Sequence, residues 1–499
     1  MHSRFCATAV APARQWRRRF LLAALTALGV VPLLTAPVAA ADKPSADPAP
    51  TPAKAAPTVR PDLAWEPFRF TPNGHAEVLA ERTSLLVPSR HTRPDGAVIT
   101  LNVVRLPALQ RAAGRSPVVY LAGGPGGSAL SAAQGPRWPH FEAVRQTHDV
   151  ILLDQRGTGQ SAPPPPCPHR ASADPRVAQD QKARLAAAQQ VAQRCLSHWR
   201  GLGLDPDVYN TADSAADLRL LQKALKAEAL SLWGMSYGTH LALAALKQPG
   251  LNIDRLLLMG VEGPDQTLKL PLHADELLAR VGQAANMPDL VERLRARLAA
   301  VAREPLRLEG PSPAVVSAFD LQLLVAGMLG RQQTSRMIPA VVGGLEAGDT
   351  AFLGPILPRL LGGYATFSLM PLATDVASGA SAARLEAVRQ QESQSVLGAA
   401  LNFPFPQVGA SLGLQDLGDA FRADPKTERP TQFVSGDLDG RTPVGHVQAI
   451  EAGFAQRGHW VVEGAGHDDE LWLTSPALKG LIAAFFNGAA PQDRRLSPK

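Results

Sequence analysis

The sequence predicts an α/β fold: a mostly parallel central sheet with helices on both faces, interrupted late in the chain by a helical insertion that would form a cap. Three observations predict it. Short apolar runs ending in glycine occur at "PVVYLAGG" (117–124), "DVILLDQRG" (149–157) and "LSLWG" (230–234), the pattern of strands covered on both faces. Amphipathic or apolar helical runs lie between and after them, as in "SAADLRLLQKALKA" (214–227) and "YGTHLALAALKQ" (237–248), and such alternation builds parallel sheets. From about 266 to 425 the strand signal lapses, and "HADELLARVGQAA", "DLVERLRARLAAVARE" and "PAVVSAFDLQLLVAGMLG" all read as helices.

The elements follow in order. Residues 1–40 hold Arg4, Arg14, Arg17, Arg18 and Arg19 and no acid, and "FLLAALTALGVVPLLTAPVAA" closes the segment on small residues. This order of basic, apolar and small is that of a secretory signal, with cleavage after Ala40 or Ala41. The alternative is a membrane anchor, but Pro32 and Pro37 interrupt the run, and its roughly 17 residues sit at the lower limit for a span. "RRRFLL" also resembles a twin-arginine export signal, with Trp16 where Ser or Thr is usual, so the translocon stays open. Cleavage removes these five arginines and takes the formal net charge from +6 to +1. With no basic stripe interleaved with aromatics elsewhere, neither nucleic-acid binding nor stable membrane insertion is expected of the mature protein.

Cysteine usage agrees with a periplasmic or secreted location. Cys6 leaves with the signal, and Cys167 and Cys195, 28 residues apart, are expected to pair in an oxidising compartment. Residues 41–61 are Pro/Ala-rich and read as an extended linker. Residues 62–265 form the first part of the α/β core, opening with a hairpin of "ERTSLLVP" and "AVITLNVVRL" around the turn "RPDG". In the helix at 214–227, Leu218, Leu221 and Leu225 share one face and Ser214 is the expected cap. "IDRLLLMGV" (253–261) is a further strand, and 266–425 is the helical cap, in which no strand is expected. Residues 426–489, with strands in "TQFVSGD" and "HWVVEGAGH", complete the core, and 490–499 form a polar tail.

The chemistry centres on "LSLWGMSYGTHLAL" (230–243), where Ser236 stands between a strand and a helix with glycines two before and two after it. A serine hydroxyl needs an exposed position beside a base to act as a nucleophile, and a sharp strand–turn–helix provides that, at the cost of room for Cβ atoms two residues either side. The pattern recurs at "GASLG" around Ser411, but "FPFPQV" precedes it, and its prolines argue against a central strand. In chain order an acid and a histidine should follow. "VSGDLDGRTPVGH" offers Asp439, with Asp437 as competitor, and "VVEGAGH" offers His467, with His459 and His240 as competitors. His467 would take the serine proton and Asp439 would fix its tautomer. "LAGGPGGSA" (121–129) follows the first central strand. There Gly124, or Gly123, would join Tyr237 in donating backbone N–H groups to an oxyanion. No H-E-x-x-H, cysteine cluster or carboxylate-rich loop suggests a metal, and no cofactor is expected.

"GGPGGS", "DQRGTGQS", "GMSYGT", "DLDGRTP" and "GAGH" occur in this order. Together they resemble the α/β-hydrolase family of proline iminopeptidases and secreted tripeptidyl aminopeptidases, sharply at these motifs and in outline over about 70–490. The resemblance implies an α/β-hydrolase fold with a helical cap and the release of N-terminal residues from short peptides. It also assigns Asp439 and His467 to a triad with Ser236. It further implies a carboxylate that receives the substrate's free N-terminal ammonium, for which Glu262 and Asp265 in "MGVEGPD" are candidates. Small iminopeptidases usually carry histidine where Ala122 stands, and Gly and Trp where Met235 and Tyr237 stand, so the departures point to the larger exported branch. A carboxylesterase on the same machinery is the alternative, followed by a non-catalytic binding protein. The oligomeric state is not legible.

Overall fold

The computed structural model describes residues 63–498 except 111–113, 172–173, 310–312, 354–356 and 358–364. The expected signal and linker lie outside the described residues. The strands are β1 (Glu66–Phe70), β2 (Val78–Pro88), β3 (Val98–Leu106), β4 (Val118–Leu121), β5 (Val150–Leu153), β6 (Leu230–Met235), β7 (Ile253–Met259), β8 (Leu306–Leu308), β9 (Ala314–Val316), β10 (Thr431–Gly436), β11 (Arg457–Val462) and β12 (Arg494–Leu496). Ten of them form one sheet in the order β1-β2-β3-β5-β4-β6-β7-β10-β11-β12. From β5 to β12 every neighbouring pair is parallel, while β1, β2 and β3 add antiparallel pairings at one edge. This is an α/β-hydrolase fold with a mostly parallel sheet.

The apolar runs explain why these segments sit in the middle. Every residue of β4, β5, β6 and β10 is buried, as expected where helices cover both faces. The twofold alternation of a strand sorts side chains between two cores. Val119, Leu121 and Leu232 pack with Trp199, Leu218 and Leu241 on one face. Tyr120, Trp233 and Met235 pack with Trp138, Phe141, Trp472 and Ile482 on the other. Cys167 and Cys195 are disulfide-bonded, tying the proline-rich loop to the helix Gln181–Gly201.

The structure corrects three local readings. The helix expected from Ser214 starts at Thr211 and is capped by Asn210, whose side chain accepts from the Asp213 N–H. Ser214 instead donates its hydroxyl back to the Asn210 carbonyl, 2.9 Å away, the local bond that serine makes inside a helix. Within the insertion β8 and β9 pair as an antiparallel hairpin; at three residues each, such strands carry too little alternation to be read from sequence. The polar tail supplies β12, which pairs parallel to β11 through Arg494–Leu496.

Because β4, β6, β7, β10 and β11 run parallel, their carboxyl ends share one rim. Five loops leave that rim: 122–128, the Ser236 turn, the 260–266 segment, 437–443 and 463–467.

Candidate active site

Ser236 sits at the junction of β6 and the helix Tyr237–Ala245 with φ 54° and ψ −126°. A non-glycine residue in that region is strained, and such strain at a site where a side chain must be presented is held by its surroundings. They are specific here. A Cβ at Gly234 would lie 2.6 Å from the Gly238 carbonyl oxygen, and one at Gly238 would strike the Leu121 carbonyl oxygen at the end of β4. The Ser236 N–H donates to the Met259 carbonyl at 2.9 Å, fastening the turn to β7. The Thr239 hydroxyl donates to the Ser236 carbonyl and accepts from the Glu262 N–H at 2.8 Å.

The structure brings the favoured acid and histidine to this serine. Nε2 of His467 is 3.0 Å from Ser236 Oγ, and Nδ1 is 2.7 Å from Asp439 Oδ2. Asp439 is fully engaged: its Oδ1 accepts from the Arg441 and Thr442 N–H groups at 2.8 Å each, and its Oδ2 accepts from the Thr442 hydroxyl at 2.7 Å. Burial alone would raise the Asp439 carboxyl, but the His467 imidazole and these donors outweigh it and hold it below the usual carboxylate range. Thr442 Oγ1 also lies 3.2 Å from His467 Nδ1. This threonine, in "DGRTP", is a contributor that the motif quoted above contained without revealing its contact.

The glycine loop packs against the same serine. A Cβ on Gly123 would fall 2.8 Å from both the Met235 carbonyl oxygen and Ser236 Cβ, so only glycine lets this backbone approach. Gly124 has φ +123°. Among the described residues, neither the Gly123 nor the Gly124 N–H has a protein acceptor. The Tyr237 N–H opens the helix and so lacks an intrahelical acceptor. "DQRGTGQS" finds its purpose here. Gln155 Nε2 donates to the Ala122 carbonyl at 3.0 Å, and Asp154 accepts from the Ser128 hydroxyl at 2.8 Å. Arg156, fully buried, forms a two-pronged pair with Asp217 at 2.8 and 2.7 Å and donates to the Ser89 and Val208 carbonyls.

The competitors have other employment. Asp437 accepts from the Gly464 N–H at 2.7 Å. His459 Nε2 is 2.8 Å from the Ser435 hydroxyl, and its pKa is lowered to about 4 by burial. His240 is held between the Gly263 carbonyl and the Ser378 hydroxyl. Ser411 ends the short helix Gln407–Ala410 and donates to the Val408 carbonyl, so it follows a helix rather than a strand. Asp265, the other ammonium candidate, accepts the N–H and the hydroxyl of Ser381, one on each oxygen, at the start of the helix Ala382–Glu392.

Glu262 is buried near the site but already paired, 3.1 Å from Lys269 Nζ. Burial would raise its carboxyl, yet Lys269 and the neighbouring histidines His240 and His467 hold it low. Beyond Lys269 opens a cavity of about 400 Å³ lined by Leu401, Phe403, Phe405, Val376 and Asp375, among others. Asp375 was not singled out from sequence. It is half-buried, its open part faces the cavity, and its carboxyl makes no side-chain hydrogen bond among the described residues. Desolvation, then the nearby Glu262 charge, push its pKa up to about 8. It lies on the helix Leu369–Ser378, whose Pro371 packs on the loop next to Gly124: a Cβ at Gly126 would lie 3.0 Å from it. Among the described residues, no cluster of three or more His, Cys, Asp or Glu side chains is placed to hold a metal ion. No described helix is long and apolar enough to cross a membrane.

Sheet order, elbow and hydrogen-bonded serine–histidine–aspartate chain together define an α/β-hydrolase-fold protein, and a family model for the alpha/beta hydrolase fold matches residues 116–307. Within that class the chain is similar to the serine protease Hip1 of Mycobacterium tuberculosis, 29% identical over 238 residues, which are 46% of this chain and 43% of that protein. It is also similar to a tripeptidyl aminopeptidase of Streptomyces coelicolor, 30% identical over 168 residues, 31% of this chain and 30% of that protein. The chain thus spans less than half the length of the curated relatives it matches. Among solved structures, a proline iminopeptidase-related protein of Thermus thermophilus aligns at 18% identity and a TM-score of 0.34, covering 81% of this chain and 96% of that one.

Proposed function

We propose that this protein is a serine hydrolase that releases N-terminal residues from peptides through an acyl-enzyme, as a prolyl or tripeptidyl aminopeptidase, and that it acts in the periplasm or outside the cell. The observation that carries the reading is the continuous hydrogen-bonded chain Asp439–His467–Ser236 at a strained strand–helix turn. Ser236 Oγ adds to the scissile carbonyl as its proton passes to His467 Nε2. The resulting imidazolium is steadied by Asp439 through Nδ1. The N–H groups of Tyr237 and Gly124, with Gly123 beside them, receive the oxyanion. The same imidazolium then gives its proton to the leaving amine, and the acyl group stays on Ser236 until a water, deprotonated by His467, releases it. Each group needed is a side chain or backbone amide of this chain, so no cofactor enters the scheme.

The peptidase reading draws support from the two relatives named above, and from the polar cluster beyond the serine. A free amino terminus needs an acid that is not already paired with another cation, and a desolvated, protonated acid meets that need by ionising as the ammonium enters beside it. Glu262 is shared with Lys269, whereas Asp375 faces the cavity without a hydrogen-bond partner among the described residues. We therefore place the substrate's amine nearer Asp375 and its apolar side chains against Phe403 and Phe405. The disulfide agrees with an oxidising compartment.

The test is a panel of arylamides bearing one-, two- and three-residue donors, set beside p-nitrophenyl esters and run on the full chain and on Ser236→Ala. Amide cleavage that requires a free amino terminus and is lost in Ser236→Ala is expected. Ester turnover with no amide cleavage would replace the peptidase by a carboxylesterase. Failure of Ser236 to label with a fluorophosphonate would leave a binding protein. Cell fractionation checks the location.

A further inference from the structure

The insertion touches the site at a second place, far along the chain from Asp375. Its helix Ala318–Met328 ends at a corner, Leu329–Gln333, that leads into the short helix Gln332–Ser335. That corner is wedged between the two loops that carry Asp439 and His467. On one side, a Cβ on Gly440, next to Asp439, would strike the Leu329 carbonyl oxygen and lie 2.9 Å from Leu329 Cβ; a Cβ on Gly330 would lie 2.9 Å from Arg441 Nε. On the other side, a Cβ on Gly466, next to His467, would lie 2.7 Å from the Gln332 nitrogen and strike Glu470 Oε2.

The glycines therefore mark a backbone-to-backbone approach on both flanks, the situation in which a side chain is not tolerated. Glu470, three residues after His467, holds the corner in place. Its Oε2 accepts the Gln332 N–H at 2.6 Å, and its Oε1 accepts the Gln333 N–H at 3.2 Å. The Gln332 side-chain amide donates to the Gly464 carbonyl on the same loop. The corner is itself stiff: the Thr334 hydroxyl donates to the Met328 carbonyl at 2.7 Å and the Ser335 hydroxyl to the Arg331 carbonyl at 2.8 Å, and both side chains are buried. Beneath the corner, the two loops are joined by local bonds such as Leu438 N–H to the Ala465 carbonyl at 2.9 Å.

We infer that the Leu329–Gln333 corner of the insertion is a positioning element for the Asp439–His467 pair, locked by Glu470. The inference rests on the roles proposed above for Ser236, His467 and Asp439. None of the corner residues meets the reacting atoms. They act by fixing the spacing of two loops whose side chains must stay within hydrogen-bond reach, where an error on the order of 1 Å is worth about a hundredfold in rate. The insertion thus does more than roof the site.

The experiment compares Glu470→Ala, Glu470→Gln and Gly466→Ala with the parent chain, each checked for folding by circular dichroism. Two readouts are followed: kcat against KM, and the low-field proton resonance of the His467 Nδ1–H bonded to Asp439. Glu470→Ala is expected to lower kcat at least tenfold with KM within twofold, and to broaden or shift the resonance. Gly466→Ala, which changes no charge, should do the same by displacing the corner. Glu470→Gln keeps one acceptor for the Gln332 N–H and should recover most of the rate. If the two alanine variants are folded, keep kcat within twofold and leave the resonance unmoved, the corner is structural only and the inference falls. Should Glu470→Ala not fold, Gly466→Ala and Glu470→Gln decide on the same readouts. Ser236→Ala runs beside them: if it still turns over substrate, the proposed nucleophile is wrong, while the resonance still reports whether the corner aligns the Asp439–His467 pair.

Discussion

Replacing Asp375 by Asn should make the protein more stable and a worse enzyme at the same time. Its carboxyl titrates at about 8 in the folded chain against a reference of 3.8. An acid with a raised folded pKa binds more protons in the native than in the unfolded state between those two values, so stability is full below about pH 4 and is lost as pH rises towards 8. The gap between the two values, at about 1.4 kcal/mol for each pH unit, sets an upper bound of roughly 5–6 kcal/mol at pH 8. The side chain is only half-buried and its open part faces a cavity. Water there relieves much of the desolvation, and we expect about 1–3 kcal/mol to be recovered by the neutral, isosteric Asn. Thermal unfolding of the two proteins should therefore coincide near pH 4 and separate by a few degrees at pH 8, with the Asp375→Asn variant the higher. In the same samples, KM for arylamides with a free amino terminus should rise about tenfold, and KM for N-acetylated analogues should not change. If the variant is no more stable at pH 8, the carboxyl is not desolvated. If KM for free and blocked substrates moves together, Asp375 does not meet an amine.

Other substitutions test the scaffold and the hydrogen-bonded chain. Thr442→Val removes the hydroxyl bonded to Asp439 and close to His467; losing a buried bond to a charged group, about 1.5–3 kcal/mol, should lower kcat roughly 10- to 100-fold in steady-state assays with KM little changed. Arg156→Met strips Asp217 of its two-pronged partner in a site with almost no exposure, and chemical denaturation should show a loss of about 3–5 kcal/mol. Replacing both Cys167 and Cys195 by Ser opens a 28-residue loop, for which chain entropy gives a loss of about 3–4 kcal/mol; the variant should unfold at lower denaturant, where the parent matches it only after reduction.

The parallel core was legible because its causes are local. Unbroken apolar runs in β4, β5 and β6 and the glycines at 234 and 238 each say what they need within a few residues. The turn at Ser236 was legible for the same reason, whereas His467 was singled out by chain order and its motif and Asp439 by its depth in the loop, and the structure brings both within hydrogen-bond reach of that turn. What stayed hidden was either too short or too evenly matched to carry a signal, or depended on distance in sequence. Asn210 outcompeted Ser214 as a cap through a bond that spans three residues, but nothing in the run itself ranks the two. β8, β9 and β12 are too short to show a period. Asp265 and Glu262 looked equivalent as loop acids until Ser381, 116 residues on, took one and Lys269 the other.

Asp375 and the Leu329–Gln333 corner were illegible in a further sense, since each belongs to a helical stretch whose sequence is explained by packing alone. The helix Leu369–Ser378 is apolar enough to be read as core, and Gly440 and Gly466 look like ordinary loop glycines until the corner is seen against them. Yet both features come from one insertion, and that has a consequence for how specificity can change here. The helix bearing Asp375 presses on the glycine loop through Pro371, and the corner presses on the loops of Asp439 and His467. A change that reshapes the cavity by moving the insertion as a body would therefore also disturb the loops of Asp439 and His467 and the glycine loop at 122–128. Substitutions that keep the body in place and alter only lining side chains, such as Phe403 or Phe405, leave those approaches untouched. Selectivity in this fold should thus be altered readily by single lining residues, while exchange of whole insertions should lower kcat for every substrate alike.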